Sequence, residues 1–157
     1  MSIQGIYSAE QKLRSMLDRS DAPVEIFGST ITLQSDRKFG DVQAVQRYVD
    51  SVLSLNWVRS RWTQAWVPVR VRERRGAAKA HYEGWSAVIA VPPHEKGGSW
   101  AMREIVVLHE IAHHLSRGEY YSHGPKFVEA FTELVEEIMS SQAAFLLRAL
   151  LHEEGVR

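Results

Sequence analysis

Apolar residues recur at three- and four-residue steps between Trp100 and Ser116, as Met102, Ile105, Val106, Leu108, Ile111, Ala112 and Leu115. That period predicts a helix over about Trp100–Ser116 with a buried stripe. Gly97-Gly98-Ser99 offers a loop ending in a capping serine before it, and Gly118 offers a stop after it. Ser8 to about Arg19 reads as a shorter helix with Leu13, Met16 and Leu17 on its apolar side. Val24–Phe27 and Thr30–Leu33 alternate around Gly28-Ser29, which predicts a hairpin or a bent strand. Asp41 is placed to cap a second helix whose inward stripe is Val42, Val45, Val49, Val52 and Leu53, ending near Asn56.

From Trp66 the period falls to two. Val67, Val69 and Val71 lie on one face and Arg70, Arg72 and Arg74 on the other, the pattern of a half-buried strand. Lys79–Glu83 and Ser86–Val91 read as two more strands, separated by Gly84-Trp85 and stopped by Pro92-Pro93. Glu119–Pro125 is loop by its turn residues, and Phe127, Ala130, Phe131, Leu134, Val135 and Ile138 mark a helix of about Pro125–Ser140. Ala143 to about Glu153 forms a final helix. These elements predict an α+β fold, a small antiparallel sheet packed on the 100–116 helix with additional N- and C-terminal helices.

A chain of 157 residues is long enough for one ordinary domain, divided here into scaffold (1–56), core (57–140) and C-terminal helix (141–157). The 19 basic and 19 acidic residues cancel, so no overall charge draws it to nucleic acid or to a membrane surface. There is no cysteine, which removes disulfides and thiolate metal sites together. No leader pattern and no membrane-length apolar run are visible, so the expectation is a cytoplasmic protein without a membrane partner.

The chemistry sits in the most apolar helix. His109-Glu110-x-x-His113 puts two imidazoles at i and i+4, one above the other on the same face, where both can reach one ion. Glu110 is swung to the side, as suits a base acting on water held there. The ordinary alternative is a pair of core histidines satisfied by carbonyls or carboxylates. A catalytic zinc site takes three protein ligands, and His123, ten residues past His113, is the candidate third. Glu133 and Glu129 are rivals, although with Glu136 and Glu137 they also read as a solvated acidic face. Tyr120 and Tyr121 are candidate donors to an oxyanion, against a role as loop-packing aromatics. His114 lies about 100° around the helix from its neighbour, which makes it a supporting or surface residue before a ligand.

His109-Glu110-Ile111-Ala112-His113 followed by His123-Gly124-Pro125-Lys126-Phe127 resembles the SprT-like zinc metalloproteases, whose pattern is HExxH and then HGPxF or HGxxW. It is also similar to a family of small zinc metallohydrolases assigned in actinobacteria and their phages. The match covers about Ala87 to Phe131. The resemblance implies a zincin-like fold, His109, His113 and His123 as zinc ligands, and Glu110 as general base of a metalloprotease with a protein or peptide substrate. In zincins the strand before the motif helix pairs with extended substrate, which would make Ser86–Val91 that edge; the alternative is an ordinary inner strand. Several SprT-like proteins carry a cysteine-based zinc module after the protease domain. This chain has no cysteine, so no role that depends on such a module carries over.

Arg59, Arg61, Arg70, Arg72, Arg74, Arg75 and Lys79 face only Glu73 in their segment, with Trp57, Trp62, Trp66, Tyr82 and Trp85 interleaved. Such a stretch can track phosphates and stack bases. A solvated sheet face with buried tryptophans is the reading favoured by the balanced overall charge. The alternative to an enzyme is a non-catalytic, zinc-stabilised binding module associated with nucleic acid.

Overall fold

The protein is described in a computed structural model covering residues 3–19, 23–26, 28–74, 79–93, 99–119 and 122–156. Two compact units divide the chain, one of Arg37–Glu119 and the other of Met1–Asp36 with Tyr120–Arg157.

In the unit of Arg37–Glu119, helix α2 (Val42–Leu53) starts where the sequence places it. Asp41 is extended, and its carboxylate accepts the Ala44 N–H at 2.8 Å, satisfying one of the first-turn donors. The helix stops at Ser54, and Asn56 opens the short α3 (Asn56–Arg61) instead of closing α2. A 3-10 turn over Thr63–Trp66 takes the first residue expected in the next strand. That strand, β3, is therefore only Arg70–Glu73. Val69 and Val71 point inward as predicted, whereas Val67 is 37% exposed because it precedes the pairing.

β4 (His81–Glu83) and β5 (Val88–Val91) complete a three-stranded sheet in the order β3-β5-β4. The expected antiparallel sheet is corrected here. β4 and β5 pair antiparallel with Tyr82 opposite Ile89, but β3 runs parallel to β5 with Val71 opposite Ile89. The physical reason is burial. β5 is the one strand buried at all four positions, so it takes the centre, and β4 lies on its far side. The reading of Ser86–Val91 as a sheet edge falls with it, because both sides of β5 are occupied. The outer side of β3 is closed by α2: the Gln46 amide donates to Val69 O at 2.9 Å and accepts the Val71 N–H at 2.7 Å. That leaves β4 as the other edge.

Helix α4 spans Glu104–Leu115, later than the Trp100 start the apolar pattern suggests. The residues before it are held otherwise. Ser99–Ala101 forms a 3-10 turn, and Arg103 bridges to Lys38 in antiparallel fashion. Phe39 N–H donates to Met102 O at 2.9 Å and Glu104 N–H to Arg37 O at 2.8 Å, so backbone pairing satisfies donors that a helical turn would otherwise need. The buried Glu104 carboxylate accepts the Tyr48 hydroxyl at 2.5 Å and lies at the helix N-terminus, where a negative charge is favoured. Every residue of α4 except His113 is buried.

The second unit holds α1 (Ile3–Asp18), a hairpin of β1 (Val24–Ile26) and β2 (Ser29–Ile31), α5 (Pro125–Leu134) and α6 (Ser141–Glu153). Ile6, Leu13, Leu17, Phe127, Phe131, Leu134, Leu146 and Leu150 form its apolar interior. α1 and the end of α6 approach closely at Gly5, where an added Cβ would meet Val156 Cγ2 at 2.9 Å. Ser8, expected as a cap, is instead inside α1; it and Lys12 hold the Glu154 carboxylate at 2.9 and 3.0 Å. Beyond α5 the chain makes a π-helical turn over Val135–Met139 and then breaks at the extended Ser140, whose hydroxyl caps α6 through Ala143 N–H at 3.0 Å. No helix among the described residues is long and apolar enough to cross a membrane.

Candidate metal centre

His109 and His113 stand one turn apart on α4, their ring centroids 5.0 Å from each other and inclined at 61°. His109 is 1% exposed, and His113 is half-buried, the one opening in an otherwise buried helix. After Leu115 the chain turns at Gly118, whose φ of 95° is open to glycine and costly for other residues. His123 is then set immediately before the extended Gly124 cap of α5, with Pro125 at the first helical position.

His123 is 6% exposed and lies between two aromatic rings. Tyr7 of α1 meets it edge-on with centroids 5.5 Å apart, and Phe127, one turn along α5, does so at 4.7 Å. Edge-to-face packing of this kind restricts the orientation of a ring that its own χ angles leave free. Tyr7 was not singled out by sequence reasoning. Its helix reads as scaffold, and nothing local to it signals a neighbour 116 positions away.

One ligand atom from each of His109, His113 and His123 lies within 4.8 Å of the other two. Among the described residues this is the group of histidine and acidic side chains able to hold an ion, and Glu129 and Glu133 are not part of it. Three imidazole nitrogens at tetrahedral angles around zinc, each about 2.0–2.1 Å from the ion, are about 3.4 Å from one another. The histidine ligand atoms, within 4.8 Å of one another, are thus at most about 1.4 Å farther apart than that spacing. The donor set fits: neutral imidazoles suit zinc and other late first-row ions, and no thiolate is needed. Glu110 is buried, at 5% exposure. Tyr120 and Tyr121 lie outside the described residues.

His114 has a different role from the three. It is fully buried, its Nε2–H donates to Val67 O at 2.9 Å, and its Nδ1 accepts the Tyr82 hydroxyl at 2.7 Å. A carbonyl only accepts, so these partners fix the neutral tautomer. Burial, which strips water from the charged form, holds its pKa below the ordinary histidine value against the pull of the Val67 and Gln64 carbonyls, and Arg117 pushes the same way as burial. Burial also raises the Tyr82 phenol, with Arg117 opposing. His114 therefore bolts α4 to β4 and to the residue after the 3-10 turn. The surface position allowed for it by the sequence is not what is found.

On β3 and β4, Arg72 and His81 both engage the Glu83 carboxylate, the histidine at 2.8 Å. The His81 hydrogen bond first, and then Arg72, hold that carboxyl below its usual range despite some desolvation. Comparison of this chain with family models, with curated proteins and with solved structures finds no match.

Proposed function

We propose that this chain is a zinc-dependent hydrolase, and more narrowly a zincin-like, SprT-like metallopeptidase acting on protein or peptide substrate in the cytoplasm. The observation that carries the reading is the convergence of His109, His113 and His123 ligand atoms within 4.8 Å. The two histidines of the HExxH run and the one of the HGP run come together, as a three-ligand site requires. Bound there, zinc would supply a Lewis acid and a water of lowered pKa.

The remaining chemistry belongs to the chain. Glu110 takes a proton from the attacking water as the new C–O bond forms, and returns it to the leaving amine as the C–N bond breaks. Its burial keeps competing water away from that carboxylate. His123, held between Tyr7 and Phe127, presents its nitrogen without searching other orientations. Substrate pairing by strand addition is assigned to the edge strand β4 and not to the central β5.

The test is Glu110→Gln in the full chain, assayed for zinc content and for cleavage of unfolded protein. Retained zinc with hydrolysis reduced by about 100-fold or more is expected. Zinc-free wild-type protein under saturating conditions would overturn the metal reading. Unchanged turnover in the variant would overturn the base, and a zinc-loaded wild type that hydrolyses nothing would favour the binding-module alternative.

A further inference from the structure

We infer that Arg117 makes the outer edge of β4 selective for an extended peptide with an acidic side chain at the one position opposite Tyr82. The inference rests on the assignment of β4 as the substrate edge, and adds a residue preference to it. What points to it is a cation left over. Arg117 follows the motif helix, four residues past His113 and so about 6 Å farther along the helix direction. It is exposed, and among the described residues no carboxylate pairs with it.

Two hydrogen bonds set this arginine beside β4. Its backbone N–H donates to His114 O at 3.3 Å, and the Tyr82 hydroxyl donates to His114 Nδ1 at 2.7 Å. Arg117 and Tyr82 are thus tied to one residue, the first through its backbone and the second through its ring. Charge acts across that junction: burial, the larger influence, raises the Tyr82 phenol, and the Arg117 guanidinium opposes it. Gly118, with its φ of 95°, turns the chain immediately afterwards, so the arginine stands at a corner.

The pleat gives the preference its register. Successive residues of a strand face opposite ways, and residues directly across two paired strands share a face. Tyr82 faces α4. In a strand added to β4, the residue opposite Tyr82 therefore faces α4 too, toward the Arg117 corner. Its neighbours face the other way, with His81 and Glu83. There the Glu83 carboxylate already engages both Arg72 and His81, and Arg70 is on β3 with β5 and β4 in between. An acidic side chain gains nothing on that face and meets a cation on the Tyr82 face. The ordinary role of a cation after a helix is to offset the carbonyl end of its dipole. That role changes stability and creates no preference among peptides.

The experiment uses the full chain carrying Glu110→Gln, with zinc, and labelled peptides of about ten residues and β-forming sequence. A single glutamate is moved along the peptide one position at a time, each version paired with its glutamine counterpart, and binding is read by fluorescence anisotropy. One glutamate position should bind about five- to tenfold tighter than its counterpart, as a charge-assisted pair at an exposed site gives, with no gain at the positions either side. Arg117→Gln should remove the preference, and Arg117→Glu should reverse it in favour of lysine at that position. Arg117→Lys should keep part of it and melt as wild type does. Equal binding of glutamate and glutamine peptides throughout, a preference that survives Arg117→Gln, or no binding of any peptide would each overturn the inference. Wild type separates this failure from that of the hydrolase reading. Cleavage of glutamate and glutamine peptides alike ends the inference and leaves the hydrolase, whereas the glutamate preference without any cleavage supports the inference and ends the hydrolase.

Discussion

Replacing Tyr82 by Phe deletes one oxygen, and the structure allows its cost to be worked out. The hydroxyl donates to His114 Nδ1 at 2.7 Å, and His114 is fully buried, so no water can take its place at the acceptor. A hydrogen bond is worth about 0.5–1.5 kcal/mol net, but leaving a buried acceptor without its donor costs about 1–3 kcal/mol. Tyr82 itself is only half-buried, so its ring keeps its packing as Phe, and about 2 kcal/mol is the expected loss. For a chain of this length that lowers the melting temperature by about 4–8 °C. All five tryptophans lie between Trp57 and Trp100, inside the unit that contains the bond, so denaturant unfolding followed by tryptophan fluorescence reads the right part of the molecule. A double-mutant cycle with His114→Leu should return a coupling of about 1 kcal/mol or more, because the two side chains touch. A loss below about 0.5 kcal/mol, the range of surface substitutions, would refute the claim that this bond anchors the motif helix, as would a cycle that sums to zero.

Other substitutions test other links. His123→Ala should weaken zinc binding by more than the 10–100-fold that loss of an outer partner costs, read by competition with a chromogenic chelator. Zinc at about 100 times its dissociation constant should stabilise the wild type by about 2.7 kcal/mol, and chelation or His123→Ala should abolish that shift. Tyr7→Leu removes one of the two rings against His123, and a loss of less than about tenfold in zinc affinity is expected, in line with the 0.5–1.5 kcal/mol of an aromatic pair. The Lys12 and Ser8 hydrogen bonds hold the Glu154 carboxyl below its ordinary value of 4.5, despite some desolvation. A depressed carboxyl contributes stability above its unfolded pKa and loses it as pH falls through the folded one. Wild type should therefore be more stable than Glu154→Gln at neutral pH and converge with it as the medium is acidified below 4.5, as measured by melting in buffers of graded pH.

Where neighbours in sequence decide the structure, the sequence is readable. Asp41 caps α2 because its carboxylate reaches a donor three residues on, and Pro125 opens α5 because its ring suits a first turn. The hairpin around Gly28 is equally local, with a φ of 79° at the turn. Where the partner is distant, the pattern misleads or is silent. Val67 alternates like a strand residue, yet the pairing partner of β3 begins at Val88, opposite Arg70, and Val67 is left outside. The start of α4 is delayed because Arg37 and Lys38 engage the residues before it. Nothing in the two-residue period of the strands distinguishes a parallel neighbour from an antiparallel one. The Trp66 and Trp85 indoles expected inside are outside for the same reason: hydrophobicity predicts burial only where there is something to be buried against.

The adjacent histidines of α4 supply the sharpest contrast within one element. His114 is what a structural histidine looks like in this fold, with two ring nitrogens, two partners in different directions and one tautomer. A buried imidazole is tolerable on those terms, and the fold meets them with a phenol and a carbonyl from separate segments. His109, His113 and His123 bring atoms of one chemical kind toward one another instead. A cation of nitrogen preference can take three such lone pairs at once and needs no cysteine to hold it. The same apolar helix thus carries one histidine held by a phenol and a carbonyl and two that gather with a third at a spacing that suits the proposed ion, which is why metal analysis of the wild type beside His123→Ala bears on every functional proposal about α4.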